Sequence, residues 1–406
     1  MEGHQEPHLP NYMKDDKVSQ ETKNLISSLP SDKDFMGYSL YNYKGCWYYP
    51  NILQAILDVQ KHFRPRNTDI ILASLPKGGT TWLKSLVFAL VHREKYQENP
   101  QIHPLLSQNP HDLVPFLEIE LYAGSQTPDL TKFPSPMIYS THMHLNTLRE
   151  AATKSSSSPC KVVYVCRGIK DTFVSAWHYR NMLHRNKMDQ ATFELMFDGY
   201  CKGVVLYGPY WEHVLGYWKG SLEDGENVFF LKYEEMIEEP RVQLKRLAEF
   251  LDCPFTEEEE KSGSVEEILK LCSLRNLSNL ETNKNGTTRI GIDSNVFFRK
   301  GEVGDWKNHL TPHMAKKIDE IVEFPDVEKP SFLAIASPPS FAAASGAFEF
   351  LVKSIAGSTA EILCELKKGK TVELRPVMGN GFEVDQIHPP EEYSTVLIFA
   401  TGSGIT

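Results

Sequence analysis

Asp69-Ile70-Ile71-Leu72-Ala73-Ser74-Leu75-Pro76-Lys77-Gly78-Gly79-Thr80-Thr81-Trp82-Leu83-Lys84 opens as a short apolar run without helical spacing. Such a run reads as a buried strand of a parallel sheet. It breaks at Pro76, passes through two glycines, and resumes with Trp82, Leu83, Leu86, Val87 and Leu90 at helical spacing. A strand, a glycine turn and a helix start aim free backbone N–H groups and the positive end of a helix at an anion. Gly78 and Gly79 let the backbone approach phosphate oxygens, Thr80 and Thr81 offer hydroxyl donors, and Lys77 adds a mobile cation. The stretch reads as a site for a phosphate-like group. The nucleotide-triphosphate loop, G-x-x-x-x-G-K-[ST], sets its lysine after the last glycine. Here Lys77 precedes both glycines, and no earlier glycine opens the loop. For the motif taken alone, a plain strand-to-helix turn with a solvated Lys77 is the alternative.

The rest of the chain narrows the choice. Its 406 residues hold one large domain, or one domain plus a smaller one. A formal charge of -10 argues against nucleic acid as a partner, while leaving room for a local basic pocket. Seven cysteines, an odd count without a C-x-x-C pair, point to reduced thiols and no structural metal. The polar start, Met1 to Lys14, has no apolar core of a signal peptide, and no run is long enough to cross a bilayer. A cytoplasmic protein with no membrane partner is expected, with residues 1–20 as a flexible terminus.

Further stretches carry chemistry. Pro136 to Leu145 reads as a short strand ending in Thr141 and His142, and a histidine titrates in the range a general base needs. A histidine after a strand is more often structural, so the residues alone leave both readings open. Lys161 to Arg167 is a second buried strand; Arg167 at its end and Ser175 in the following helix face the sheet edge where open α/β sheets bind ligands. An ion pair is the alternative for Arg167. Val228 to Glu234 is a third strand. In Phe297 to Lys307, Arg299 and Lys300 are adjacent cations and Gly301 has an unencumbered amide, which suits a phosphate monoester. Read alone, R-K-G is by default a solvated loop. Tyr38 to Tyr49 is aromatic-rich and reads as an acceptor wall, a packed hairpin or lid over the core, or both at once. His111 to Leu117 reads as a pocket wall, without a catalytic role for His111. Leu195 to Trp218, with Tyr207 and Tyr210, reads as a buried helix pair.

From about Glu21 to Ile321 these segments together resemble the cytosolic sulfotransferases, and among them the soluble enzymes of plants. In that family the loop P-K-S/G-G-T-T-W holds 3′-phosphoadenosine-5′-phosphosulfate (PAPS), which assigns Lys77, Gly78, Gly79, Thr80, Thr81 and Trp82 to the donor. The family's T-H-x-P motif makes His142 the catalytic base, assisted by Lys77; His144 stands in place of the proline, and Ser140 in place of a lysine of the animal enzymes. The resemblance gives Arg167 and Ser175 to the 3′-phosphate, with Gly168 replacing an asparagine. It sets Tyr233 near the adenine, and makes Cys272, Ser273 and Leu274 a further donor contact. A phenylalanine commonly packs on the base there; Leu274 has no ring, and Trp82 is left to cover the other face. Arg299, Lys300 and Gly301 of R-K-G-x-x-G-D-W would bind the 3′-phosphate. The implied fold is α/β, a central parallel sheet flanked by helices with a P-loop-like phosphosulfate-binding loop. The implied reaction is sulfuryl transfer from PAPS to a hydroxyl of a small acceptor such as a flavonol or brassinosteroid, with no metal required. The dimer motif K-x-x-x-T-V-x-x-x-E starts at Lys307 and Thr311 and fails at Pro312 and Lys316, implying a monomer or weak homodimer. A nucleotide kinase with a variant loop and a catalytically silent PAPS-binding protein are the rival readings.

Composition shifts after Glu323. Strand-like pieces at 332–336, 348–352, 371–374 and 395–401 resemble part of the ferredoxin-NADP reductase-like oxidoreductases. The final Gly-Ser-Gly turn lacks the helix that would supply its dipole. The expected division is therefore 1–20, a sulfotransferase domain at 21–323, and a truncated β-rich tail at 324–406, a fusion or gene-model artefact. A flavin or NAD(P)H oxidoreductase acting through that tail is the least favoured function.

Overall fold

A computed structural model describes residues 10–124, 127–152, 160–184 and 188–322. Asn11–Met13 makes a single 3-10 turn with Met13 buried. Ser19 then caps helix α1 (Gln20–Ile26), its hydroxyl accepting from Thr22 N–H. Residues 10–20 are held, which corrects the expectation of a loose terminus over that span. The Asn51 amide donates to Asn11 O at 2.9 Å and to Asp16 Oδ1 at 3.0 Å. A polar composition hid these contacts, because the partner lies far away in sequence.

Strands β1 (Ser31–Lys33), β2 (Ser39–Tyr43) and β3 (Cys46–Tyr48) form an antiparallel sheet in that order. The β2–β3 turn sets Lys44 at φ 54° and Gly45 at φ 84°. Two positive-φ residues match the twist of a tight hairpin. The aromatic run is thus a packed hairpin, with Tyr48 and Tyr49 fully inside, and none of Tyr38 to Tyr49 lines the main cavity. Helix α2 (Pro50–His62) follows, with proline at its first position, and buries Ile52, Leu53, Ile56 and Val59.

The apolar run forms β4 (Ile70–Ser74), all five residues buried, and the resumed pattern forms α3 (Thr80–Val91). Strands β5 (Ile138–Thr141), β6 (Lys161–Cys166) and β7 (Val228–Lys232) complete a parallel sheet of order β5-β4-β6-β7. Side chains alternate across β4. Ile71 and Ala73 pack with α2, Tyr139 and Tyr164 on one face, and Ile70 and Leu72 pack with α3, Val163 and Leu231 on the other. The expected α/β fold with a helix-flanked parallel sheet is what is observed. The register Leu72↔Ser140, Leu72↔Val163 and Val165↔Leu231 brings the carboxyl ends of all four strands to one edge. Lys77, His142, Arg167 and Tyr233 each follow one of those ends, which is the edge open α/β sheets use for ligands.

One boundary differs from expectation. β7 stops at Lys232, and Tyr233 begins a helix running to Glu238. Leu195 to Trp218 falls on the expected helix pair, Gln190–Lys202 and Tyr210–Glu223, parted where Gly203 caps the first in the left-handed conformation. The six described cysteines are free, and no helix among the described residues is long and apolar enough to cross a membrane. The expected tail strands, and with them the oxidoreductase-like reading of 324–406, lie outside the described residues.

Candidate active site

Residues following all four strand ends, with segments from elsewhere in the chain, enclose a cavity of about 430 Å³. Its floor is the turn after β4. Gly78 N–H closes the turn on Leu75 O at 2.9 Å, and Lys77 takes φ 68°, an unusual backbone for a side-chain-bearing residue. Gly79 has φ 111°, and a Cβ there would sit 2.9 Å from Tyr233 Cδ2, so this position excludes a side chain twice over. The first bond of α3 runs from Leu83 N–H to Gly79 O at 3.0 Å. The amides of Thr80, Thr81 and Trp82 therefore have no intrahelical acceptor. Thr80 Oγ1 is tied to Ser74 Oγ at 2.6 Å, which pins the helix start to the strand end.

His142 leaves β5 directly above this floor. Its Nδ1 lies 2.6 Å from Ser74 O. A carbonyl only accepts, so Nδ1 carries the hydrogen and Nε2 keeps its lone pair. Burial pulls the ring down to a pKa of about 3, against the opposing pull of the Ser74 carbonyl. The ring is neutral and poised to accept a proton. Its backbone is fixed by Glu118, whose Oε1 accepts from His142 N–H at 2.7 Å while Oε2 accepts from Thr141 Oγ1 at 2.9 Å. Glu118 stands in a short π-helical segment, Leu117–Leu121, and is 1% exposed. Burial raises its pKa, and these donors oppose the rise. Tyr207 adds a third donor at 3.2 Å.

Neighbouring His144 does something else. Its Nε2 meets Tyr207 O at 3.0 Å, and its ring packs edge-on to His213. His144 does not line the cavity, so it braces the Tyr207 backbone.

Positive charge gathers on the other side. Arg167 and Ser175 both line the cavity, and the Arg167 guanidinium lies over the Tyr233 ring at 4.8 Å and donates to Glu302 O at 2.6 Å. Arg299 Nη1 and Lys300 Nζ each reach a carboxylate oxygen of buried Asp305 at 2.6 Å. Hydrogen bonds from Lys300 and Arg299 hold the Asp305 carboxyl well below its ordinary range despite its burial. The buried Nε atoms of Arg167 and Arg299 have no acceptor among the described residues. Burial, with Arg167 and Arg299 nearby, pulls Lys77 down to about 7, and its Nζ rests 4.5 Å from the Tyr179 ring centre. Four cations, of which Arg299 and Lys300 share the Asp305 carboxylate, and two orphan donors suit an anion. Tyr233 Oη donates to Gly301 O at 2.9 Å, and its ring meets Trp82 edge-on at 5.4 Å. Cys272, Ser273 and Leu274 line the same wall; Cys272 is buried at a helix end, and Ser273 caps the next turn by accepting from Asn276 N–H.

All sixteen sequence-expected site residues belong to this neighbourhood, and Gly78 alone among them is absent from the cavity lining. Several others were missed. Tyr12, from the stretch expected to be loose, lines the cavity, as does Tyr207, whereas His111 and Phe116 line it as expected of a pocket wall. Glu118 and Lys84 support the site from behind. No spacing rule links these positions to the loop; only the apolar frame around Glu118, Pro-Phe-Leu-Glu-Ile, marked a carboxylate in a buried place.

A family model of the Sulfotransferase domain matches residues 67–331. Cytosolic sulfotransferase 11 of Arabidopsis thaliana is 83% identical over 317 residues, which is 78% of this chain and 89% of that one. An Arabidopsis thaliana crystal structure, provisionally assigned as a steroid sulphotransferase, is 40% identical with a TM-score of 0.60, over 78% of this chain and 96% of that one. A mouse sulfotransferase complexed with PAP is 26% identical with a TM-score of 0.53, over 70% and 93%.

Proposed function

The chain belongs to the plant cytosolic sulfotransferase family, and we propose that it transfers the sulfuryl group of PAPS to a hydroxyl of a small, largely apolar acceptor such as a flavonol or brassinosteroid. One observation carries this reading: a single cavity contains His142 with Nε2 free to accept a proton, opposite Lys77 and the unbonded amides of α3. The PAP complex of the mouse relative supports the choice of donor.

In this reading His142 Nε2 takes the acceptor's proton as that oxygen forms its bond to sulfur. Lys77 and the amides of Thr80, Thr81 and Trp82 hold the negative charge that grows on the departing phosphate oxygen. Arg167, Ser175, Arg299, Lys300 and Gly301 hold the 3′-phosphate, with Asp305 keeping the two adjacent cations extended toward it. Trp82, Tyr233 and Leu274 border the adenine. Phe116, Ile119, Leu206 and Tyr207 give the acceptor side an apolar wall.

The test uses purified protein, labelled PAPS and a panel of hydroxylated acceptors. His142→Ala should lose about 10²- to 10⁴-fold in turnover, the usual worth of a positioned base, with nucleotide binding intact. Unchanged turnover would remove His142 from the chemistry. Nucleotide binding without transfer to any acceptor would favour a silent binder.

A further inference from the structure

Lys84 and His111 stand behind the loop, and the reaction as written gives neither a task. Lys84 is completely buried in the first turns of α3 and makes no ion pair among the described residues. It lies three residues after Thr81, hence on the same helix face. Its Nζ donates to Val114 O at 2.8 Å and sits 3.6 Å from the Phe116 ring centre. Its other polar contact is His111 Nδ1 at 3.2 Å. His111 Nε2 lies 2.9 Å from Thr81 Oγ1. The His111 ring is held in place: Asn109 Oδ1 accepts from its backbone N–H at 2.8 Å, and Phe297 packs on it at 4.1 Å.

The chemistry of these atoms sets a direction. The Val114 carbonyl and the face of Phe116 favour an ammonium, and an anion on the loop favours it further. Burial works against this and pulls Lys84 well below the ordinary lysine range. With an anion on the loop to hold Lys84 as the ammonium, which only donates, His111 Nδ1 accepts. Burial keeps the His111 ring neutral, which leaves its one hydrogen on Nε2, donated to Thr81 Oγ1. With its lone pair so engaged, Thr81 has its own hydroxyl hydrogen left for the cavity it lines.

We propose that Lys84 and His111 are positioning residues that fix the Thr81 hydroxyl as a hydrogen-bond donor to the 5′-phosphate end of the bound nucleotide. This rests on the PAPS-site reading above.

Calorimetric titration of the full chain tests it. Two probes are compared, adenosine 3′,5′-bisphosphate and adenosine 3′-monophosphate, which lacks the 5′-phosphate. The ratio of their affinities isolates the loop's contribution. Lys84→Met, His111→Leu and Thr81→Val should each cut that ratio by about three- to tenfold, the worth of one hydrogen bond. Lys84→Met combined with Thr81→Val should lose no more than either alone, because both remove the same bond. A general loosening of the fold would weaken both probes together and leave the ratio unmoved. An unchanged ratio in Lys84→Met and His111→Leu, or additive losses in the double variant, would overturn the relay while leaving the donor site standing. If the unaltered protein binds neither probe, the donor-site reading falls and the relay with it.

Discussion

At the scale of the residue, charge and burial settle the protonation states the reaction needs. Burial keeps His142 neutral down to about pH 3, far below the ordinary 6.5 of a histidine. The same burial, with Arg167 and Arg299 nearby, leaves Lys77 charged only below about 7 in the free protein. The signs follow. Protonation of His142 should not limit the rate between pH 5 and 7, and the anionic donor should bind less well as pH rises through about 7. A pH profile of kcat/KM for PAPS should therefore show an alkaline fall and no acid limb near 6.5. Lys77→Met should remove that fall and lower the plateau. An acid limb at 6.5 would mean that His142 is solvated, or that another group is the base.

Elements matter because they carry these residues to one edge, and the N-terminal layer shows how. Arg180, on the helix Ile169–Leu183, donates to Asp34 Oδ2 at 3.1 Å and to Met13 Sδ at 3.0 Å. The Tyr49 hydroxyl donates to the same Asp34 oxygen, and Asp34 Oδ1 accepts from the amides of Met36 and Tyr38 at 2.9 Å each. One buried ion pair thus joins the hairpin, the 3-10 turn and a helix that also bears Ser175. Tyr12 in that turn lines the cavity beside Tyr179. Asp34→Ala would leave a buried guanidinium uncompensated, with an expected cost of about 3–5 kcal/mol. Urea denaturation reads that loss. Steady-state kinetics on the folded fraction should show a higher KM for the acceptor and little change for the donor. Equal changes in both would detach the N-terminal layer from the acceptor side.

For the whole molecule, the family match ends at residue 331, and the Arabidopsis thaliana relative aligns with 78% of the chain. The parallel sheet, the cavity and every residue proposed for the reaction fall before residue 306. A chain ending at residue 331 should match the full chain in sulfuryl transfer within about twofold, and the purified full chain should show no flavin absorbance. A large loss on truncation would make the last segment part of the working protein. Bound flavin would revive the oxidoreductase reading of the tail.

The sequence by itself determined the sheet, the glycine turn and the charged donor side. These depend on local rules: apolar runs buried on both faces, φ values that glycine permits, and cations next to glycine in R-K-G. His142 was legible only through its motif, because spacing could not tell a base from a core histidine. What the tertiary structure decided is the back of the site. Ser74 O fixes the His142 tautomer across 68 positions, and Glu118 fixes its backbone across 24. Lys84 reaches His111 across 27, and Tyr12 enters from a stretch whose composition promised only solvent. Hydrogen bonds between distant strands and turns leave no period in a sequence, so their partners appear only when the sheet brings its strand ends together.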